Sequence, residues 1–241
     1  MTDFVQLWVY LSSTPLFGLT ATLVVYVLAQ AVYARMAQAP WANPVLFSVA
    51  TLATGLTLTG TAYPTYFSGA QFIHFLLGPA VVALAWPLWQ RRVALRAHWR
   101  QFLLAALAGG GAAAISAVGM AWALGLPMDI VLSLASKSVT APVAMGIAEK
   151  IGGIPALAAV FAVVTGMIGT LSGKYLFTLL GIGTDATGLM ARGFALGTAA
   201  HGIGAARALQ VDAEAGAWAA LALGLQVVLA ALLIPLAARL F

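Results

Sequence analysis

Long apolar stretches, each closed off by a charge, a proline or a glycine, recur eight times along this chain. A bilayer's hydrocarbon core takes a helix of about 20 apolar residues, so stretches of this length read as spans. They fall near 15–34, 44–62, 67–90, 99–124, 128–148, 154–180, 188–206 and 215–238. Composition agrees: 63% of the residues are hydrophobic and 7% charged, against about 25% charged in a soluble domain. With 241 residues, no room is left for a separate soluble domain. The expected fold is an all-α polytopic membrane protein of about eight hydrophobic segments, two of them proline-broken, with a weak internal repeat. Residues 1–241 read as a single transmembrane domain.

The chain has no cysteine, which excludes disulfides, thiolate metal sites and cysteine nucleophiles. Its net charge of +5 is scattered or juxtamembrane, with no clustered patch for nucleic acid. Arg35 is the first basic residue, so no cleavable signal is expected and the first helix stays in place. With the N-terminus outside, eight crossings put Arg35, Arg91, Arg92, Arg96, Arg100, Lys150 and Arg207 inside, and Lys174, Arg192 and Arg239 outside. In 91–100, Arg92, Arg96 and Arg100 recur every four residues, a pattern suited to a short interfacial helix on anionic headgroups.

Residues 72–85 and 135–148 align without gaps, pairing Pro79 with Pro142 and His74 with Lys137. The following spans match loosely, Gly110 with Gly166 and Leu124-Gly125-Leu126 with Leu180-Gly181-Ile182. Such repeats build many transporters. Two full crossings per unit make the repeat parallel; re-entrant proline segments make it inverted. Each proline removes an amide donor and clashes with the carbonyl four residues back, and Gly78 or Ala141 before it is biased away from helix. The half-helices restarting there point amides of 80–82 and 143–145 at the breaks, and paired helix N-termini suit a carboxylate. Candidate residues are Gly78, Pro79, Ala80, Pro142 and Val143 at the breaks.

Ser133, Ser136, Lys137 and Thr140 fall on one face of a helix entering the second break. A mid-membrane lysine costs ~2.5–3.5 kcal/mol on insertion scales and should face the bundle interior. There Lys137 neutralises a substrate carboxylate while Ser138 and Thr140 donate to it; binding to freed carbonyls, or snorkelling, is the structural alternative. The seventh segment carries five glycines, which make it a poor autonomous helix, broken or re-entrant. Gly193, Gly197 and His201 share a face there, where another helix can approach closely. His201 then reads a substrate hydroxyl, shuttles a proton, or makes an interhelical hydrogen bond. Thr198, Arg192 and Arg207 join the candidate set; Asp212 and Glu214 read as solvated loop charges.

These same runs carry a family resemblance. Tyr66-Phe67-Ser68-Gly69, the stretch 76–88, Lys137-Ser138-Val139-Thr140-Ala141-Pro142-Val143-Ala144, Ile151-Gly152-Gly153-Ile154-Pro155-Ala156, the stretch 191–208 and Glu214-Ala215-Gly216-Ala217-Trp218 resemble the LrgB/CidB family, most clearly over 43–241. The resemblance implies a multi-pass bacterial inner-membrane protein, an antiholin-like modulator of autolysis and murein hydrolase activity, often paired with an LrgA/CidA-type membrane partner. Chloroplast relatives, which act as glycolate/glycerate translocators, resemble the chain too. Ser136 stands where the family usually has proline, Ala141 where it has threonine, Ala200 where it has serine, and Ala219-Ala220 where it has Ser-Ser. These lost hydroxyls bear on substrate range.

The leading expectation is transport of small 2-hydroxy or 2-oxo monocarboxylates, of the glycolate, glycerate and pyruvate class, through a site at two broken helices. The alternative is an antiholin-like regulator acting through membrane homo-oligomers. No enzyme is expected. Residues 169–173 lack the Gly-x-Ser-x-Gly spacing, no acid orients His201, and His74, His98 and His201 form no metal cluster. Neither catalytic residues nor a metal or other cofactor are expected.

Overall fold

The computed structural model describes residues 15–36, 39, 42, 44–76, 79, 82 and 85–239. Among them the regular elements are α-helices, without strands. The chain divides into two compact units, Met1–Pro79 and Ala80–Phe241.

The first unit holds α1 (Pro15–Arg35), α2 (Pro44–Thr59) and α3 (Tyr63–Phe75). Of these, α1 is long and apolar enough to cross a membrane. It packs on α3 through Gly18, where a side chain's Cβ would stand 2.9 Å from the Ala70 amide nitrogen. The Thr22 hydroxyl fixes that contact, bonding the Tyr66 hydroxyl and donating to the Gly18 carbonyl, each at 2.7 Å. The segment expected over 67–90 is not one helix, since α3 ends at Phe75 and Leu76 forms a turn. Gly78 and Ala80 lie outside the described residues, and with them the break expected at Pro79.

The second unit holds α4 (Ala85–Gln90), α5 (Arg92–Ala97), α6 (Trp99–Ala123), α7 (Met128–Ala135), α8 (Ala141–Ile151), α9 (Pro155–Leu179), α10 (Ala186–Val211) and α11 (Ala213–Ala238). Helices α6, α9 and α11 are membrane-length. A short helix is present in the expected interfacial stretch as α5 (92–97), and arginines at its start and just beyond it stack on tryptophans: Arg92 over Trp89 at 4.5 Å and, in the first turn of α6, Arg100 over Trp99 at 5.4 Å.

An internal repeat is visible in the way α6 and α9 end. Each has 25 residues and closes in a left-handed glycine, Gly125 (φ 72°) or Gly181 (φ 65°). The next amide reaches back in the same way, Leu126 to the Ala121 carbonyl (3.2 Å) and Ile182 to the Phe177 carbonyl (2.9 Å). That is a Schellman cap repeated in register. After each cap the chain makes a helical hairpin. The repeat therefore follows the match of Gly110 with Gly166 and pairs the hairpin after α6 with α10, while the expected match of residues 72–85 with 135–148 lies partly outside the described residues.

The first hairpin is α7–α8. Ile154, just after α8, donates its amide to Ser133 Oγ at 2.7 Å, so the chain leaves where it entered. Helix α8 then runs antiparallel to α9, with Ala144, Ile147 and Ala148 packed on Ala158 and Ala162. The second hairpin is α10 itself. It is interrupted at His201, whose φ of 42° and ψ of −131° are not helical. Beyond the turn Gly204 comes back against Ala200, where a Cβ would sit 2.7 Å from the Ala200 Cβ, and Ala208 packs with Leu189 and Leu196. Its first arm (186–200) runs antiparallel to α9 from the other end: Arg192 faces Phe177, Leu196 faces Gly173 and Ala200 faces Gly169. The two hairpins thus enter from opposite ends of α9, which is the inverted arrangement.

This topology changes the sidedness expected from eight full crossings. Arg91, Arg92, Arg96, Arg100, Lys174, Arg192 and Arg207 belong to one end of the second unit, Lys150 and Arg239 to the other. The first end is cytoplasmic by the positive-inside rule, so Lys174 and Arg192 exchange sides with Lys150. The difference arises because each hairpin returns to the end it entered from, where a full crossing would change sides.

Candidate functional site at the hairpin tips

The two turns meet at mid-depth. Helix α7 stops at Ala135 and α8 begins at Ala141, with Thr140 extended (φ −60°, ψ 145°) before it and Pro142 in its first turn. Residues 136–140 are therefore not helical, and the shared helical face expected for Ser133, Ser136, Lys137 and Thr140 does not exist. Ala144 already donates to the Thr140 carbonyl at 2.9 Å, so of the amides expected at this break Val143 remains, with Ala141 beside it. From the opposite hairpin, Gly202 approaches Thr140: a Cβ there would be 3.7 Å from Thr140 Cγ2. His201 lies beside Gly166, near the middle of α9.

Some polar groups here hold the tips together. Ser136 Oγ spans the first turn by donating to the Ala144 carbonyl (3.1 Å), while Ser133 Oγ, farther from the tip, donates to the Asp129 carbonyl (2.6 Å) and accepts from Ile154. His201 is buried and donates Nε2–H to the Ala162 carbonyl at 2.7 Å. That bond anchors the strained turn to α9 and fixes the tautomer. Gly166 makes room for the ring, which would lie 2.9 Å from a Cβ.

Other polar groups are left over. Thr140 Oγ1, Thr198 Oγ1 and Gln226 Oε1 are buried without a protein hydrogen-bond partner. All three sit at the level of the tips. Thr198 abuts Gly109 and Gln226 abuts Gly110, both near the middle of α6. A buried polar group without a partner costs about 1–3 kcal/mol. Lys137, three residues before Thr140 in the same turn, is half-buried, and its ammonium donates to Ser138 Oγ at 3.3 Å. A cavity of about 240 Å³ opens between α6 and α11 and is lined in part by Ser136, Ser138 and Gln226.

Lys137, Ser138, Thr140, Pro142, Val143, Thr198 and His201 are thus brought to one level, whereas Arg192 and Arg207 are not. Arg192 is nine residues from the turn, about 13 Å along its helix, and it lines a separate pocket with Arg207 and Lys174. Gln226 escaped the sequence reading. Its signal was a lone amide in an otherwise apolar span. Asp212 and Glu214 are not merely solvated charges. Asp212 caps α11 by accepting from the Glu214 and Ala215 amides (2.8 and 3.0 Å), and Glu214 takes a two-pronged bond from Arg91 (3.0 and 2.9 Å). That pair joins the start of the second unit to α11. Among the described residues no cluster of metal-binding side chains occurs.

Membrane-length helices enclosing two opposed half-depth hairpins define a multi-pass α-helical membrane protein. Residues 22–240 match the LrgB-like family, and the chain belongs to it. Protein YxaC of Bacillus subtilis (strain 168) is 34% identical over 202 residues, 84% of this chain and 86% of its own. The protein named Holin-like protein CidB in Staphylococcus epidermidis is 29% identical over 202 residues, 84% of this chain and 86% of its own. Its namesake in Staphylococcus aureus (strain N315) is 28% identical over 241 residues, the whole of both chains. No solved structure matches the chain.

Proposed function

We propose that the protein carries small 2-hydroxy or 2-oxo monocarboxylates, of the glycolate, glycerate and pyruvate class, across the bacterial membrane. The observation that carries this reading is the set of unpartnered buried oxygens on Thr140, Thr198 and Gln226, with Lys137 in the same turn as Thr140. Two threonine hydroxyls and an ammonium are donors suited to a carboxylate, while an amide oxygen accepts from a hydroxyl on the neighbouring carbon. The α8 amides at Ala141 and Val143 add the positive end of a helix. Opposed hairpins at mid-depth let either tip give way towards its own side, which suits alternating access. Uptake of labelled glycolate, lactate, pyruvate and glycerate into proteoliposomes, with imposed ion gradients, tests the reading. Saturable uptake of at least one supports it, and flux no greater than in empty vesicles removes it.

A second reading has its own support. The staphylococcal relatives that cover the whole chain bear the name holin-like, so regulation of murein hydrolase activity and lysis, with an LrgA/CidA-type partner or as a homo-oligomer, fits the names better than transport does. The close-approach face of Gly193 and Gly197, which would serve such assembly, is occupied within the chain, however. Gly193 and Gly197 lie against the Ala215 and Ala219 carbonyls of α11.

A further inference from the structure

The cavity between α6 and α11 is larger and more apolar than the smallest acids of the proposed class require. It measures about 240 Å³. Its polar wall is Ser136, Ser138 and Gln226, and the rest is apolar, with Leu107 from α6 and Leu229, Leu233 and Ile234 from α11. Ser136 is spent on the Ala144 carbonyl. That leaves two polar groups for a ligand: Ser138, which accepts from the Lys137 ammonium at 3.3 Å, and Gln226, whose buried Oε1 has no protein partner. Glycines keep the room. A Cβ at Gly110 would overlap the Gln226 amide, while Gly111, also on the cavity wall, has nothing within 4 Å of a Cβ. An apolar cavity stays dry and takes apolar groups, yet lactate has a single methyl group to place there and glycolate none.

We infer that this cavity is the side-chain subsite of the transport site, and that the preferred substrates are 2-hydroxy or 2-oxo acids carrying an apolar side chain of several carbons. The inference rests on the carboxylate-transport reading given above. Ser138 and Gln226 join the apolar wall to the polar groups of the hairpin tips, so the occupant must have both characters. A lipid tail would leave Gln226 Oε1 unpaired, at the cost that a buried polar atom carries. With the carboxylate held by Lys137 and Ser138 and the C2 oxygen beside the Gln226 amide, the substituent on C2 continues along Leu229 and Leu233. A few placed polar groups and an apolar majority are the usual make-up of a small-molecule site.

The test is uptake of labelled glycolate by the reconstituted protein, with unlabelled straight-chain 2-hydroxy acids from glycolate to 2-hydroxyoctanoate as competitors. Each methylene moved from water into an apolar site is worth about four-fold. On that scale 2-hydroxybutyrate should compete about ten-fold better than glycolate or more, and the gain should stop once the chain outgrows the cavity. G111L, which adds a side chain at the open position of the wall, should flatten the series. A flat series in the unmodified protein overturns the inference whether or not G111L folds. A gain that continues with every added carbon, or that G111L leaves unchanged, also overturns it, because partition into vesicle lipid behaves that way. Glycolate uptake with a flat series removes this subsite alone. No saturable uptake of labelled glycolate or labelled 2-hydroxybutyrate removes the transport reading with it.

Discussion

Thr140 and Thr198 each hold a buried hydroxyl that bonds nothing in the protein. A hydroxyl kept for the fold has a partner; one kept for a ligand need not. Valine is threonine's shape without the oxygen, so Thr140→Val and Thr198→Val should leave the melting temperature unchanged or raised while weakening glycolate uptake. Scanning calorimetry or a thermal-shift assay beside the uptake assay checks both halves. A fall in stability of more than about 1 kcal/mol would make these hydroxyls structural. Lys137→Ala should lower uptake ten- to hundredfold, the scale of a lost charged hydrogen bond of about 1.5–3 kcal/mol, with helicity retained. Lys137→Arg should also impair it, since a planar fork does not replace a compact ammonium.

His201 gives a separate residue-scale prediction. Its φ of 42° is a conformation that glycine adopts freely and other residues rarely, at a cost of about 1–3 kcal/mol. In an ordinary helix glycine is about 1 kcal/mol worse than alanine. Here the order should invert: His201→Gly should melt above His201→Ala by about 1 kcal/mol of stability. The opposite order would mean that the turn is not held as described.

At the scale of elements, the opposed hairpins predict a contact between residues that the sequence separates widely. The chain is free of cysteine, so a Thr140→Cys/Gly202→Cys variant can be oxidised without background. A Cβ at 202 falls close to the Thr140 side chain, within reach of disulfide geometry, and an intramolecular cross-link should form in membranes. Its absence under oxidant, while a control pair across Gly173 and Leu196 links, would separate the tips. Gly197→Leu should do more general harm. It drives a side chain into the α11 backbone, and overpacking typically costs about 1–3 kcal/mol, so loss of folded protein on size exclusion is expected before any selective loss of function.

Much of this element plan is legible in the sequence. Apolar length located α6, α9 and α11, because a span needs little more than about 20 uncharged residues. Glycines at 193, 197 and 204 announced a segment that must pack closely, and it does. Sidedness is not legible, because hydropathy reports length buried and not direction: a hairpin of two half-length arms is as apolar as one full span. The site was half legible. Lys137 and Pro142 mark a costly charge and an obligatory break, each readable from its chemistry. That Ser136 would be consumed by Ala144 while Thr140 stayed unpartnered depends on where α7 stops, which no periodicity gives. Arg192 and Arg207 looked like site residues until the turn at His201 folded them together at the far end of the hairpin.

For the whole molecule, transport and lysis control make different demands. If flux through the tips underlies a holin-like role, substitutions at Lys137, Thr140 and His201 should disturb transport and lysis together. Normal lysis control in a folded, transport-dead Lys137→Ala strain would place the regulatory role elsewhere on the protein. The central claim is that the meeting point of the two hairpins holds a small carboxylate, and side-by-side uptake of labelled glycolate by reconstituted wild-type, Thr140→Val and Lys137→Ala proteins tests it most directly. Saturable wild-type uptake that both variants lose while remaining folded is the predicted result. Equal uptake by all three, or none by the wild type for any monocarboxylate of this class, would contradict it.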